Sequence, residues 1–170
     1  MSWLRRIFGG SDRPDDGDGD HGAPAVRRSE GKAALLELLR ARGARSALVT
    51  YDGGNDEGGV ASIAVSGEPL AEPAESWEGT TLPGSTDVLW GDWSEEGAAD
   101  YGSRPLADER LLAAAEAVVC EKWGSFAGEF QVEGRLVVDV DGDRIVRQDV
   151  SWVTDDDEND AEREHETEIL

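Results

Sequence analysis

The side chains that could do chemistry in this sequence are mostly carboxylates, and one glycine-rich segment concentrates them. The segment Asp52–Gly59 carries Asp52, Asp56 and Glu57 among four glycines. Calcium and magnesium bind carboxylate oxygens, and glycine permits backbone conformations that bring such ligands together. The segment therefore predicts a calcium or magnesium site at Asp52, Asp56 and Glu57. The alternative is a wide, solvated loop between two strands.

Aromatic residues next to acidic ones suggest a binding surface. Tyr51 precedes the glycine-rich segment, and Trp90-Gly91-Asp92-Trp93 lies in a stretch rich in proline and glycine. Exposed aromatic side chains are common anchors at protein interfaces. We expect Tyr51, Trp90, Asp92 and Trp93 to contribute to partner binding. The alternative is that the tryptophans cover the edge of a sheet.

The sequence provides no recognisable catalytic nucleophile. Cys120 is the single cysteine, so an internal disulfide is excluded, and the two histidines, His21 and His165, lie in low-complexity ends of the chain. A reactive thiolate needs a basic neighbour to lower its pKa. Phosphate-binding loops, metal-spaced His/Cys clusters and nucleophile-elbow motifs are also missing from the sequence. We therefore predict no catalytic residues and expect Cys120 to be a small buried side chain.

The net charge is −22, from 38 acidic and 16 basic residues. Residues 29–154 alone hold 24 acidic and 10 basic residues, which gives −14. Such a surface repels phosphates, so direct nucleic-acid binding is disfavoured. The leading hypothesis is a non-catalytic interaction or accessory protein with a basic or cationic partner. The alternatives are a divalent-metal-binding module or metal-dependent hydrolase that uses Asp52–Gly59, and a DNA mimic.

Three regions differ in composition. Residues 1–28 combine an amphipathic tip at 1–10, capable of weak membrane contact, with a flexible linker rich in glycine, aspartate and proline. Residues 29–154 are long enough for one domain. Residues 155–170, with nine acidic residues and one basic residue, are expected to form a disordered tail. The absence of a signal-peptide pattern and of a long apolar run makes cytoplasm the expected location.

Hydrophobic periodicity predicts two helices and several strands in the middle region. The helices are Ser29–Arg42 and Leu106–Trp123, and the strands are Ser46–Asp52, Val60–Ser66, Thr86–Trp90, Phe130–Val140 and Arg144–Val153. We expect Gly134 to interrupt its strand as a bulge or turn. Runs of strands without strict alternation predict an α+β fold, an antiparallel sheet of about four or five strands with two helices on one face.

Short motifs resemble those of a bacterial family of small acidic domains of unknown function. The pattern Tyr51-x-Gly53-x-x-Asp56-x-Gly58 follows the first strand, a helix ends at Trp123, and Gly128-x-Phe130 leads into an Asp-Gly hairpin and an acidic tail. The resemblance covers about residues 46–158. Lys122 and Gly124 flank the tryptophan where the family pattern has Gly-Gly-Trp-Glu. The resemblance implies one α+β domain and a special role for the loop around Asp56.

Overall fold

The computed structural model describes residues 25–92, 94, 104–153 and 163–170. The elements in chain order are α1 (Ala25–Ala41), β1 (Ser46–Gly54), β2 (Glu57–Ser66), a 3-10 turn (Ala74–Ser76), β3 (Thr86–Trp90), α2 (Leu106–Trp123), β4 (Phe130–Asp139), β5 (Arg144–Val153) and β6 (Glu164–Ile169). The α+β prediction is confirmed. The predicted tip at 1–10, most of the linker and Trp93 lie outside the described residues. Among the described helices, none is long and apolar enough to cross a membrane.

The six strands form one antiparallel sheet in the order β3-β2-β1-β4-β5-β6. This is one or two strands more than predicted. The additional strand, β6, lies within residues 155–170, which we expected to remain disordered throughout. It pairs with β5 because Glu166 and Glu168 meet Lys122 and Arg147, which compensate the charge of the strand.

The two helices pack side by side on one face of the sheet. Leu35 and Leu39 of α1 and Leu111 and Val118 of α2 are fully buried there. α2 begins and ends as predicted: Asp108 and Glu109 favour its N-terminus through the helix dipole, and Gly124 ends it with a positive φ of 56°. α1 begins at Ala25, four residues before the predicted start at Ser29.

The opposite face of the sheet is partly covered by the irregular segment 67–85. Trp77 and Leu82 from this segment pack on Leu48 and Val146 of the sheet. The guanidinium of Arg135 lies over the Trp77 ring, 5.5 Å from its centroid, and donates a hydrogen bond to the Gly79 carbonyl at 2.9 Å. β1, β4 and β5 are therefore buried on both faces near their middle.

Candidate functional site

The segment Asp52–Gly59, for which a wide loop was the alternative interpretation, is a paired hairpin. Asp52 lies opposite Gly59 and Gly54 lies opposite Glu57, so Asn55 and Asp56 alone make the turn. Both residues have positive φ, 52° and 71°, as in a type I′ turn, and Asn and Asp tolerate that backbone better than most residues do. Because two such residues reverse the chain, the alternative of a wide loop is wrong.

The glycines of this hairpin make room for the ring of Phe126. Gly53 and Gly58 face each other across the hairpin. A Cβ added to Gly53 would lie 2.5 Å from Cδ1 of Phe126, and a Cβ added to Gly58 would lie 2.7 Å from Cγ of the same ring. Phe126 is 1% exposed, and its carbonyl accepts a hydrogen bond from the Asp56 amide at 3.0 Å. Its φ of 58° is unusual for a bulky residue, and burial of the ring offsets this strain. These two glycines therefore allow the ring of Phe126 to pack against the hairpin.

The hairpin spreads the three predicted metal ligands along its length. Asp52 lies on β1, Asp56 lies in the turn, and Glu57 begins β2, with all three exposed. In the part of the chain that the structure describes, no group of three His, Cys, Asp or Glu side chains could hold a metal ion. Calcium or magnesium binding at Asp52, Asp56 and Glu57 thus stays a prediction without geometric support.

Five exposed carboxylates lie around the β1–β2 turn and the start of β4. We call this group the acidic end; its members are Asp52, Asp56, Glu57, Glu129 and Glu133. Asp52 and Glu133 are direct cross-strand neighbours, so their side chains share one face of the sheet. Like charges in this arrangement repel each other. Within the described ranges, none of the five forms an ion pair.

The connection between β5 and β6 starts and finishes at the same end of the sheet. Val153, the last residue of β5, lies opposite Phe130 at the start of β4, and Glu164 begins β6 opposite Ser151. Positions 154–162 of the sequence include six further carboxylates. Val153 itself is 62% exposed at this end of the sheet. The described residues on either side of this connection, Val153 and Glu164, therefore lie at the same end of the sheet as the acidic end.

The opposite end of the sheet carries carboxylates that are paired with arginines. Arg45 Nη2 lies 2.7 Å from Asp141 Oδ2, and Arg40 forms an ion pair with Asp143. These contacts tie the end of α1 to the β4–β5 connection. Asp141 and Asp143 are therefore ion-paired at this end, whereas the five carboxylates of the acidic end form no ion pair within the described residues.

A buried polar network, which we did not predict, lies between the sheet and α2. The Tyr51 hydroxyl donates a hydrogen bond to Asp149, and Lys122 Nζ donates to the other carboxylate oxygen at 2.9 Å. Tyr51 and Asp149 are 2% and 3% exposed. Burial first, and then the Asp149 charge, raises the pKa of Tyr51 far above its ordinary value, so the hydroxyl remains a donor. Tyr51, which we expected at a partner surface, is instead a buried network residue.

Gly134 makes this network possible. It lies between Tyr51 and Asp149 in the cross-strand row, and a Cβ there would overlap Tyr51 Cζ and lie 2.5 Å from Asp149 Oδ1. β4 runs without a break from Phe130 to Asp139, so Gly134 is neither the bulge nor the turn that we expected. Its role is to let an aromatic ring cross the strand.

Arg147 extends the network toward β6. It is 4% exposed and pairs with Glu168, while Lys122 Nζ lies 2.8 Å from Glu166 Oε2. The hydrogen bond and charge of Lys122 lower the pKa of Glu166. Arg147 Nε and Nη1 are buried and have no hydrogen-bond partner among the described residues. Arg147 therefore retains unused donor capacity.

Among the described residues, only part of the predicted partner-binding surface is exposed. Trp90 is 44% exposed on the edge strand β3, next to Val88, which is 41% exposed. Arg104 binds Asp92 at 2.6 Å and the Trp90 carbonyl at 2.9 Å, so it fixes the end of β3. Of the predicted partner residues that are described, Trp90 alone presents a largely exposed side chain, while Trp93 lies outside the described residues.

Cys120 is a half-buried thiol on α2. Burial, with a smaller contribution from the nearby Glu116 charge, raises its pKa to about 11. Such a thiol is almost fully protonated at neutral pH and is a poor nucleophile.

Comparisons with protein-family models, with curated proteins and with solved structures gave no match. The resemblance to a bacterial family of unknown function accordingly stays a prediction. The functional proposal depends on the geometry and charge of this chain alone.

Proposed function

We propose that this chain is a non-catalytic interaction protein that binds a basic partner through the acidic end of its sheet. The observation that carries the proposal is the unpaired, cross-strand carboxylate pair Asp52 and Glu133, surrounded by three more exposed acidic residues. The opposite end of the same sheet uses arginines to compensate its carboxylates. A partner that supplies lysine or arginine would complete the same compensation at the acidic end.

Carboxylates at the acidic end repel one another. Two like charges directly opposite each other in a sheet cost a few tenths of a kcal/mol to about 1 kcal/mol, and the negative charge of the whole chain adds to this. Solubility alone needs dispersed charge and does not require Asp52 to face Glu133. A basic partner converts that repulsion into attraction, and it associates at a rate that falls with rising salt.

Capture from native lysate tests the proposal when two charge-matched variants are compared. The variant Asp52→Asn/Glu133→Gln removes two negative charges from the acidic end. The control, Asp141→Asn/Asp143→Asn, removes the same charge from the opposite end. We expect the wild-type chain and the control to retain the same basic proteins at physiological salt, and the acidic-end variant to lose most of them.

Equal retention by both variants would contradict the proposal, because it would show that overall charge and not its location is responsible. Calorimetry with calcium and magnesium covers the metal-binding alternative. Heat of metal binding that disappears in the acidic-end variant would favour that alternative over a protein partner.

A further inference from the structure

The acidic strand β6 is held at the outer edge of β5 mainly by backbone hydrogen bonds and by two basic side chains. β6 pairs with β5 from Ser151↔Glu164 to Val146↔Ile169. The first four residues of β6 are exposed, so they bury little apolar surface. Its side-chain ties to the rest of the protein are the ion pairs Lys122–Glu166 and Arg147–Glu168.

Without β6, this edge would carry a surplus of positive charge. Lys122 and Arg147 contribute two positive charges, and Asp149, which lies between them, contributes one negative charge. Glu166 and Glu168 of β6 bring two negative charges to these two basic side chains. With β6 in place, Arg147 is 4% exposed, and its Nε and Nη1 have no hydrogen-bond partner within the described residues.

The spacing of the contacts along the outer edge of β5 determines which residue pattern an added strand must have. Residues two apart on a strand face the same side, so Glu166, Glu168 and Leu170 all point toward the helices. Leu170 packs against the core, its amide donates to the Ile145 carbonyl at 2.9 Å, and its carbonyl accepts a hydrogen bond from Lys32. The edge therefore matches carboxylate-x-carboxylate-x-leucine.

We propose that the outer edge of β5 is a binding site for an extended acidic segment of this pattern, which β6 fills within the chain and which a strand of another protein fills in exchange. The backbone ladder would supply affinity, and Lys122 and Arg147 would supply selectivity. The site is opposite in charge to the acidic end, so its ligand differs from a basic partner.

The test uses the full chain and a fluorescent peptide with the sequence of residues 163–170. The variant Glu166→Gln/Glu168→Gln weakens the chain's own strand. Glu164→Gln is the matched control, because Glu164 lies on the same side of β6 and makes no ion pair within the described residues. Near-ultraviolet circular dichroism verifies that each variant is folded.

We expect hydrogen exchange in residues 164–169 to rise about tenfold or more in the double variant and to change little in the control. The double variant should bind the peptide at least about tenfold more tightly than the wild-type chain does. A peptide with glutamine at the positions of Glu166 and Glu168 should not bind. Equal binding of the two peptides, or exchange that is the same in the double variant and the control, would overturn the proposal.

A second measurement needs no variant. Millimolar acidic peptide added to the wild-type chain should accelerate exchange in residues 164–169, because it displaces β6, whereas the glutamine peptide should not. Acceleration by neither peptide, or by both equally, would contradict a site that selects carboxylates.

Discussion

Tyr51 on β1 bonds to Asp149 on β5 across an intervening strand. The phenol ring can cross β4 because the residue beneath it is Gly134. Lys122 and Arg147 then hold the carboxylate from the helix side and along β5. One glycine in a strand thereby determines whether a buried charge network can form.

The first prediction concerns Gly134→Ala. A methyl group there overlaps the Tyr51 ring and crowds Asp149, so we expect the free energy of unfolding to fall by about 3 kcal/mol or more. Gly67→Ala is the control, since a Cβ at Gly67 meets nothing within 4 Å, and it should change stability by less than about 1 kcal/mol. Urea unfolding measures both. Similar losses in the two variants would contradict the proposed role of Gly134.

The second prediction concerns alkaline pH. Burial and Asp149 raise the folded-state pKa of Tyr51, whereas in the unfolded chain the phenol ionises near pH 10. Its contribution to stability is therefore complete below about pH 10 and is lost progressively as the pH rises above that value. In the wild-type chain, the free energy of unfolding should fall more steeply above about pH 10 than in Tyr51→Phe. Parallel curves would show that Tyr51 titrates normally.

The sequence predicted the fold class and the bounds of α2 and β5 because these segments have clear periodicity and clear turn or stop signals. It failed for β6, where a run of glutamates is typical of a solvated tail. The strand exists because Lys122 and Arg147, distant in the sequence, meet those glutamates. No local sequence pattern predicts a contact between residues so far apart in the chain.

The residues of the candidate site were also only partly predictable from the sequence. On β5, Arg147 and Asp149 face the helices and are buried. Charged residues at alternating positions of a strand normally indicate a solvent-exposed face of the sheet. Likewise, the glycines near Asp56 suggested a metal loop, although two of them make room for Phe126. The acidic character was predictable from composition, whereas its concentration at one end depends on strand register.

The third prediction concerns the Cys120 thiol. Since its pKa is raised to about 11, its thiolate fraction at pH 8 is roughly 100-fold lower than that of an ordinary cysteine. Iodoacetamide at pH 8 should therefore modify the folded chain at least roughly 100-fold more slowly than the chain in denaturant. Mass spectrometry follows the reaction. Fast alkylation of the folded chain would indicate an accessible, activated thiol.

The fourth prediction concerns charge repulsion between Asp52 and Glu133. Glu133→Gln removes one member of the repelling pair and should raise the free energy of unfolding by about 0.2 to 1 kcal/mol at low salt. The gain should shrink as salt screens the repulsion. Asp143→Asn, which breaks an exposed pair with Arg40, should be neutral or slightly destabilising. Destabilisation by Glu133→Gln would mean that Glu133 has a favourable partner.

The most direct measurement of the central claim is calorimetric titration of the full chain with an octalysine peptide at low and physiological salt. The account predicts that Asp52→Asn/Glu133→Gln binds the peptide at least about fivefold more weakly than the wild-type chain, while Asp141→Asn/Asp143→Asn binds it like the wild-type chain. The two double variants carry the same net charge, so the comparison isolates location. Equal affinity of the two variants would contradict a basic-partner site at the acidic end.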